Sequence, residues 1–382
     1  MLFRAFALLV TMTVGAMADE PYHIGVWYFL RWSSAAKTAP GLHRYGGTDP
    51  WAGVRQFAEG RPPFQIAGGP NFTDRKPLIG FYDQMDQSVI DTQIQQAASE
   101  GIEFFAFYWY ISPITGQELH GVEPVKKFFG SSVRTLKYVL APLVVDTYKE
   151  HLDLRTWTTT VVPQIVSYMR SDAYFRIDGR PLLIDFWLPF DGRAEAYAEL
   201  RRSVREAIGV DPLIVLLLGG NPHYQDLQFQ ASHVHPDGFT CFNMGTTRPD
   251  KPYADVVHEW LANTLAQSGT PTSPPNRNLV LIPCGSLGID ARPWYQVGWS
   301  GPSAEKRPFT TGVTPDLVRH HLQDIRDFID SRRVNTLRMA IIYAWNEWGE
   351  AAQSIEPSEA NRYRYADLVR DVFQLTPNGA RP

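Results

Sequence analysis

The pattern that most constrains the fold of this chain is a series of eight short β-rich runs separated by helical patterns. Several runs are almost continuously apolar, as expected of parallel strands buried on both faces. Eight strands alternating with helices predict an α/β fold, a (β/α)8 TIM barrel. A doubly wound open sheet is the alternative, but the turn after the first run lacks a glycine-rich phosphate loop. The runs are His23–Phe29, Ile102–Tyr108, Leu136–Val145, Pro181–Phe186, Leu213–Leu218, Gly238–Phe242, Leu279–Cys284 and Met339–Trp345.

Helix start signals occur in the intervals between these runs. Asp86 is a predicted N-cap for a helix that stops at Gly101. Thr314, followed by Pro315 in the first turn, predicts another. A last amphipathic helix is expected after Ser358. By contrast, the stretch 30–85 is rich in Gly, Pro and aromatic residues without a strong helical period, which predicts a long loop insertion after strand 1.

Length and charge narrow the classes of function. A chain of 382 residues with 44% hydrophobic residues can bury a large core, and we expect residues 19–382 to form one barrel domain. The formal net charge of -4 provides no basic surface of the kind that a phosphate backbone attracts. Nucleic acid is therefore not an expected partner.

The first 18 residues have the pattern of a signal peptide. Arg4 precedes the apolar stretch 5–14, and Ala16 and Ala18 are small residues at the positions that signal peptidase inspects. The apolar stretch is too short to span a bilayer, which takes about 20 residues. We therefore expect export to the periplasm or the extracellular space and no membrane span. In that compartment Cys241 and Cys284 are expected either to form a disulfide or to stay as two buried thiols.

Two carboxylates stand three residues apart at the end of the last predicted strand, in the sequence YAWNEWGE. Glu347 and Glu350 are accompanied by two indoles, Trp345 and Trp348, and by the amide of Asn346. Proton donors and acceptors beside aromatic faces are what cleavage of a sugar acetal requires. The pattern therefore indicates a glycan-cleaving site; the alternative is a solvated or salt-bridged pair of glutamates.

Candidate substrate-binding residues follow from the rule that barrel enzymes carry their chemistry at the carboxyl ends of the strands. Trp345 and Trp348 are interpreted as sugar platforms or as core. Asp290 and Arg292 are interpreted as a pair that fixes a loop or as sugar contacts. Neither a metal nor a cofactor is required by any motif, and no hydrolase triad or HExxH sequence is present. The candidates are Tyr28, Trp109, Tyr110, Asp146, Trp187, Asp290, Arg292, Trp345, Asn346 and Trp348.

The segment 345–350 and the Ile-Glu-Pro at 355–357 resemble the signature of the family 99 glycoside hydrolases and the wider group of family 99-like proteins. The resemblance extends over nearly the whole chain after residue 18. The stretch 140–146 departs from the Trp-Ala-Asn type segment of many relatives, so mannose specificity is not carried over to that subsite. Further matches are Ile24–Phe29, Pro77–Asp83, Gly101–Tyr110, Ile177–Pro181 and Gly288–Trp294.

The resemblance implies an endo-α-mannosidase-like barrel enzyme that retains configuration. In that family the 2-hydroxyl of the sugar attacks its own anomeric carbon and a 1,2-anhydro sugar forms. Carried over, Glu347 deprotonates the 2-hydroxyl, while Glu350 protonates the departing oxygen and later activates water. Because a general acid must hold its proton near neutral pH, Glu350 is expected in a drier environment or beside another carboxylate. A double displacement, with carboxyl groups about 5–5.5 Å apart, is the alternative route.

Three classes of function remain open from the sequence. The first is an exported glycoside hydrolase acting on an oligo- or polysaccharide. The second is a glycosyltransferase-like protein of a polysaccharide locus, against which the signal peptide argues because nucleotide-sugar donors are cytoplasmic. The third is a non-catalytic glycan-binding barrel, which has no need for both Glu347 and Glu350.

Overall fold

The structure is a computed structural model. It describes residues 20–34, 49–58, 75–119, 121–144, 152–186, 188, 192–218, 231–243, 250–267, 280–293, 308–331 and 334–382. The predicted signal peptide at 1–18 and the candidate site residues Asp146 and Trp187 lie outside these ranges.

All eight predicted strands are present as strands of one parallel sheet. Two short pairs lie outside this sheet's main path: β4 (Arg176–Ile177) pairs antiparallel with β5, and β8 (Lys251–Pro252) pairs with β11 (Thr310–Thr311). The sheet strands are β1 His23–Tyr28, β2 Phe104–Ile111, β3 Lys137–Val144, β5 Arg180–Asp185, β6 Leu213–Leu218, β7 Gly238–Cys241, β9 Val280–Ile282, β10 Cys284–Ser286 and β12 Met339–Tyr343.

The sheet closes through a strand that is divided at Pro283. Neighbouring strands follow the order β10-β12-β1-β2-β3-β5-β6-β7-β9. The first half of the divided strand, β9, pairs with β7, and the second half, β10, pairs with β12. Proline has no amide hydrogen to donate to a ladder, yet its carbonyl still accepts from Ile341 N at 3.2 Å. The predicted (β/α)8 barrel is therefore confirmed.

Helices flank the strands along the chain, and two predicted N-caps are confirmed. The Asp86 carboxylate accepts from Ser88 N at 2.9 Å, and the Thr314 hydroxyl accepts from Leu317 N at 3.3 Å. A π-helical turn at Trp157–Val161 separates α4 from α5. The α-helices are α1 Ala52–Ala58, α2 Gln87–Ser99, α3 Pro124–Gly130, α4 Leu154–Thr156, α5 Val162–Met169, α6 Arg193–Ile208, α7 Tyr253–Gln267, α8 Pro315–Asp330 and α9 Arg364–Phe373.

Three boundaries differ from the sequence-based expectation. The stretch 30–85 contains the short helix α1, and its segments 35–48 and 59–74 lie outside the described residues. The last helix begins at Arg364 rather than just after Ser358, because residues 358–362 form a tight turn in which Arg362 N donates to Ser358 O at 2.8 Å. The last strand ends at Tyr343, so both glutamates lie in the loop beyond it.

Side chains from strands on different sides of the sheet meet in the barrel interior. Gly25 shows how tightly this space is filled, since a Cβ there would stand 2.1 Å from the Phe104 ring. Trp27 follows two residues later on the same face of β1, because successive residues of a strand point to opposite faces. Its ring lies 5.5 Å from that of Phe242, just beyond β7, which is not a neighbour of β1 in the sheet.

A disulfide joins Cys241 at the end of β7 to Cys284 at the start of β10, with the Cα atoms 5.4 Å apart. Of the two alternatives open from the sequence, the structure therefore has the disulfide rather than two thiols. The bridge closes a loop of 43 residues and links β7 to the second half of the divided strand.

Candidate active site

The two glutamates share one turn of backbone beyond β12. Glu350 N and Ala351 N both donate to Glu347 O, at 3.1 and 2.8 Å. Positions three apart on such a turn lie on the same side, which brings the two carboxylates together. The turn is fastened to the barrel rim, since Trp345 N donates to Trp27 O at 2.7 Å and Asp290 N donates to Glu350 O at 2.5 Å.

Glu347 is the drier of the two carboxylates. Its exposed fraction is 4%, and within the described part of the chain its Oε2 has no hydrogen-bond partner. Burial, followed by the negative charge of Glu350, raises the pKa of Glu347 well above its ordinary value. When two carboxyl groups are neighbours, ionisation of one disfavours ionisation of the other. The pair therefore favours a state that holds a proton.

Glu350 is only partly buried. Its Oε1 accepts a hydrogen bond of 2.5 Å from the hydroxyl of Tyr343, the last residue of β12. A second carboxylate close to Glu350 was expected, and it is present. Of the two alternatives expected for Glu350, a drier environment or a neighbouring carboxylate, the structure has the second, and the more deeply buried carboxylate is Glu347.

An aromatic group lies in the barrel interior at the same end. Trp27 and Tyr108 stack, with ring centroids 5.3 Å apart and planes inclined by 13°. Phe186 meets both rings edge-on at 5.6 and 5.8 Å. Phe242 lies edge-on to Tyr108 at 5.7 Å and to Tyr343 at 4.9 Å. We call Trp27, Tyr108, Phe186, Phe242 and Tyr343 the aromatic floor.

The aromatic floor reaches the carboxylates through two tyrosines. Burial first, and then the negative charges of Glu347 and Glu350, raise the pKa of Tyr108 well above its usual value. The same causes, with Glu350 as the nearer charge, raise the pKa of Tyr343. Within the described residues, the Tyr108 hydroxyl and the Trp27 indole N–H have no hydrogen-bond partner. The floor thus combines apolar ring faces with two buried polar groups that have no partner among the described residues.

Sequence reasoning missed this group because it selected the last residue of each strand without deciding which face that residue occupies. Trp27 and Tyr108 each stand one position before a selected candidate, Tyr28 and Trp109. The period of two could have identified them: once Gly25 is assigned to the interior, Trp27 must share its face.

Three predicted contacts lie between the strands and the outer helices instead. The Tyr28 hydroxyl donates to Gln93 on α2 at 2.5 Å. The Trp109 indole donates to Glu118 at 2.9 Å. The Trp345 ring packs on Phe105 at 5.3 Å, which favours the core interpretation for this tryptophan. These corrections have one reason, the alternation of faces along a strand and its continuation into the loop.

Two further candidates hold in place the loop that carries Glu347 and Glu350. The Asn346 side chain accepts from Phe29 N at 2.7 Å and donates to Phe29 O at 2.9 Å. The Trp348 indole donates to the buried Glu356 carboxylate at 2.7 Å, so this ring also belongs to the loop support rather than to a sugar platform. Both side chains are almost completely buried.

Asp290 and Arg292 pair with each other, which was one of the two interpretations from the sequence. Arg292 Nε and Nη2 donate to the two Asp290 oxygens, each at 2.7 Å. Arg75 Nη2 adds a third bond to Asp290 at 3.0 Å. Arg75 Nη1 also donates to Trp348 O at 3.2 Å, which ties the cluster to the loop that carries Glu347 and Glu350.

Among the predicted aromatic contacts that belong to the described residues, Tyr110 alone lies on the inner face beside the mouth. It stands two residues beyond Tyr108 on β2, and its ring carries the guanidinium of Arg31 at 3.8 Å. Arg31 was not among the sequence candidates. Groups of three or more His, Cys, Asp or Glu that could hold a metal do not occur within the described residues.

Similarity to known proteins extends over most of this chain. No family model matches the chain. An uncharacterised protein, WxcX, from two strains of Xanthomonas campestris pv. campestris is 25% identical over 372 residues, which cover 89% of this chain and 49% of the relative. The chain thus spans about half the length of the curated relatives it matches.

Solved structures share the fold along the chain. A glycoside hydrolase-like protein matches with a TM-score of 0.60 and 16% identity, over 93% of this chain and 94% of that one. The GH99 endo-alpha-mannosidase from Bacteroides thetaiotaomicron matches with a TM-score of 0.56 and 15% identity, over 92% and 96%. None of the helices in the described ranges has the length and apolar character of a membrane span. The two structural matches show that the chain has the barrel fold of family 99-like glycoside hydrolases, as the motif resemblance predicted.

Proposed function

We propose that this protein is an exported, retaining glycoside hydrolase that cleaves α-linked glycans in the manner of an endo-α-mannosidase, with Glu347 and Glu350 as its catalytic residues. One observation carries the proposal: the two glutamates share a turn at the mouth of the barrel, and the drier one has a carboxylate oxygen with no partner in the described residues. Buried polar atoms are normally hydrogen-bonded, and exceptions cluster at functional sites. The aromatic floor beneath them suits the apolar faces of a sugar ring.

The chemistry divides between the two carboxylates. Glu347 takes the proton of the sugar 2-hydroxyl, whose oxygen attacks the anomeric carbon while Glu350 gives its proton to the departing glycosidic oxygen. The product of this step is a 1,2-anhydro sugar and a free chain end. Glu350, now ionised, takes a proton from water, the resulting hydroxide opens the three-membered ring at the anomeric carbon, and the 2-oxygen recovers its proton from Glu347. Two inversions at that carbon give retention.

Substrate binding sets the proton where the reaction needs it. In the free protein the proton of the pair rests on the drier Glu347, whose pKa is raised by burial and by the Glu350 charge. A sugar hydroxyl that donates to Glu347 Oε2 stabilises its ionised form. The proton then belongs on Glu350, where it meets the leaving oxygen.

Export is part of the proposal and is supported by the disulfide between Cys241 and Cys284. Disulfides persist in oxidising compartments and are rare in the cytosol. The same argument disfavours a transferase that draws on cytoplasmic nucleotide sugars.

The test is release of reducing sugar from α-mannans and other α-linked glycans by the wild type, Glu347→Gln and Glu350→Gln. Glu103→Gln, at the amino end of β2 and paired there with His23, is the matched control. We expect the control to retain activity and both site variants to fall by about 100-fold or more. An aryl glycoside with a good leaving group should restore the first step, release of the aryl alcohol, to Glu350→Gln and not to Glu347→Gln. Opening of the anhydro sugar by water should stay slow in Glu350→Gln, because that variant also lacks the base.

The competing classes predict different outcomes. A transferase would transfer sugar only when a nucleotide sugar is added. A binding barrel would hold glycan equally well with either glutamine and release nothing. Either result would remove the assigned roles of Glu347 and Glu350.

A further inference from the structure

Arg31 is a buried cation beside the candidate active site. It follows β1, has an exposed fraction of 1%, and lies with its guanidinium 3.8 Å from the centroid of the Tyr110 ring. Within the described part of the chain, its Nε and Nη2 have no hydrogen-bond partner, and no carboxylate forms an ion pair with it. An arginine side chain carries a permanent positive charge in proteins, so the buried group is a cation.

Arg292 shows what the same arrangement looks like when it is complete. It too is buried, with an exposed fraction of 4%, and its guanidinium lies 4.0 Å over the Phe309 ring. Its Nε and Nη2 hold the two oxygens of Asp290, each at 2.7 Å. Arg31 presents the same pair of nitrogens and the same aromatic support without an acid from the described residues.

A buried guanidinium without an anion is costly, because its hydration is lost and nothing replaces it. The Nε and Nη2 edge is planar and donates two parallel hydrogen bonds, which match the two oxygens of a carboxylate or of a phosphate group. The partner that satisfies Arg31 is therefore expected to be an oxyanion.

The position of Arg31 ties this oxyanion to the glycan. Tyr110 lies on the same face of β2 as Tyr108 and about 7 Å further towards the mouth, at two residues of strand rise. Trp32, the next residue after Arg31, donates its indole N–H to Asn346 O at 2.7 Å, directly before Glu347. Arg31 thus lies at the same mouth of the barrel as the carboxylate pair. It is displaced from the aromatic floor towards the position that the next sugar of a bound glycan would occupy.

We propose that Arg31 binds an oxyanion carried by the glycan, so that the substrate is an acidic rather than a neutral polysaccharide. A uronic acid carboxylate and a sugar phosphate share the required chemistry. This proposal rests on the proposed function for one point, that the ligand is a glycan. It does not require that the protein cleaves that glycan.

The experiment measures binding to the full chain carrying Glu347→Gln, which separates binding from hydrolysis. The probes are α-linked oligogalacturonides, the same oligosaccharides with their carboxyl groups reduced to alcohols, and phosphorylated and neutral α-mannans. We expect an acidic probe to bind about 10- to 100-fold more tightly than its neutral counterpart. Arg31→Gln and Arg31→Met should abolish that difference and leave binding of the neutral probe unchanged. Which acidic probe shows the effect distinguishes carboxylate from phosphate.

Thermal unfolding without ligand is the second readout. Because Arg31 pairs with no acid in the described residues, Arg31→Met should leave the Tm unchanged or raise it. Arg292→Met should lower the Tm, because the buried Asp290 carboxylate loses the two hydrogen bonds that Arg292 donates. A fall in Tm for Arg31→Met as large as that for Arg292→Met would overturn the proposal, as would equal binding of acidic and neutral probes. Arg31-dependent binding by the Glu347→Gln chain, together with no sugar release by the wild type, would instead overturn the hydrolase proposal and leave the oxyanion site standing.

Discussion

Glu347 and Glu356 are two buried glutamates of the same loop, and their surroundings differ completely. Glu356 accepts three hydrogen bonds, from Gln93 at 2.7 Å, Tyr82 at 2.9 Å and Trp348 at 2.7 Å. Glu347 has an oxygen with no partner within the described residues and a second carboxylate nearby. Both are dry and both have raised pKa values, to about 7 for Glu356 because of burial. Burial alone therefore does not distinguish the two glutamates; unmet hydrogen-bonding capacity does.

The comparison predicts that replacing glutamate by glutamine affects mainly activity at position 347 and mainly stability at position 356. Glu347→Gln should lower kcat by about 100-fold or more. It should not lower the Tm, because the neutral amide replaces a carboxyl group that burial already favours in its neutral form, and no hydrogen bond at Oε2 is broken. Steady-state kinetics and thermal unfolding of the same preparation check both halves. A clear loss of Tm would show that Glu347, like Glu356, is a structural residue.

Glu356→Gln should show the reverse pattern. Its amide nitrogen must face at least one of the three donors, which leaves a buried donor without an acceptor at a cost of about 1–3 kcal/mol. We expect the Tm to fall by a few degrees and kcat to fall less than in Glu347→Gln, through loosening of the loop that carries Trp348. Urea unfolding gives the free energy directly. An unchanged free energy of unfolding would remove the distinction between the two glutamates.

Tyr343→Phe sharpens the comparison at the partner carboxylate. It removes only the hydroxyl that donates to Glu350 Oε1 and keeps the ring against Phe242. A hydrogen bond to a charged group contributes about 1.5–3 kcal/mol, so a loss of roughly tenfold in kcat/KM is expected. The acidic limb of the pH–rate profile should move to higher pH, because the ionised form of the pair loses a donor. A change in rate without a change in the profile would assign Tyr343 to packing.

The smallest expected effect is on the pH dependence of stability. A carboxyl group whose folded-state pKa is raised stabilises the fold when protonated, so its contribution is complete below the unfolded pKa of about 4.5. The contribution of Glu356 declines as pH rises to about 7 and is constant above. Wild-type stability measured by urea unfolding should therefore decline between pH 5 and pH 8. Glu347→Gln and Glu356→Gln should each flatten that decline.

Much of this architecture follows from local sequence. The eight strands, the caps at Asp86 and Thr314 and the adjacency of Glu347 and Glu350 depend on residues close to one another along the chain. The errors concern Tyr28 and Trp109, which face the helices. A strand run that is apolar on both faces contains no pattern that says which face is inside.

The sequence by itself determined the fold class and the pair of carboxylates, because hydrophobic period, capping and motif spacing act over a few residues. Only the tertiary structure decided that Glu347 has an unpartnered oxygen, that Glu356 accepts three hydrogen bonds, and that Arg31 is buried without a carboxylate partner among the described residues. Those properties depend on atoms brought together by barrel closure from positions as distant as Gln93 and Glu356, or Phe29 and Asn346. Desolvation and hydrogen-bond satisfaction are sums over neighbours in space, and the chain order does not contain them.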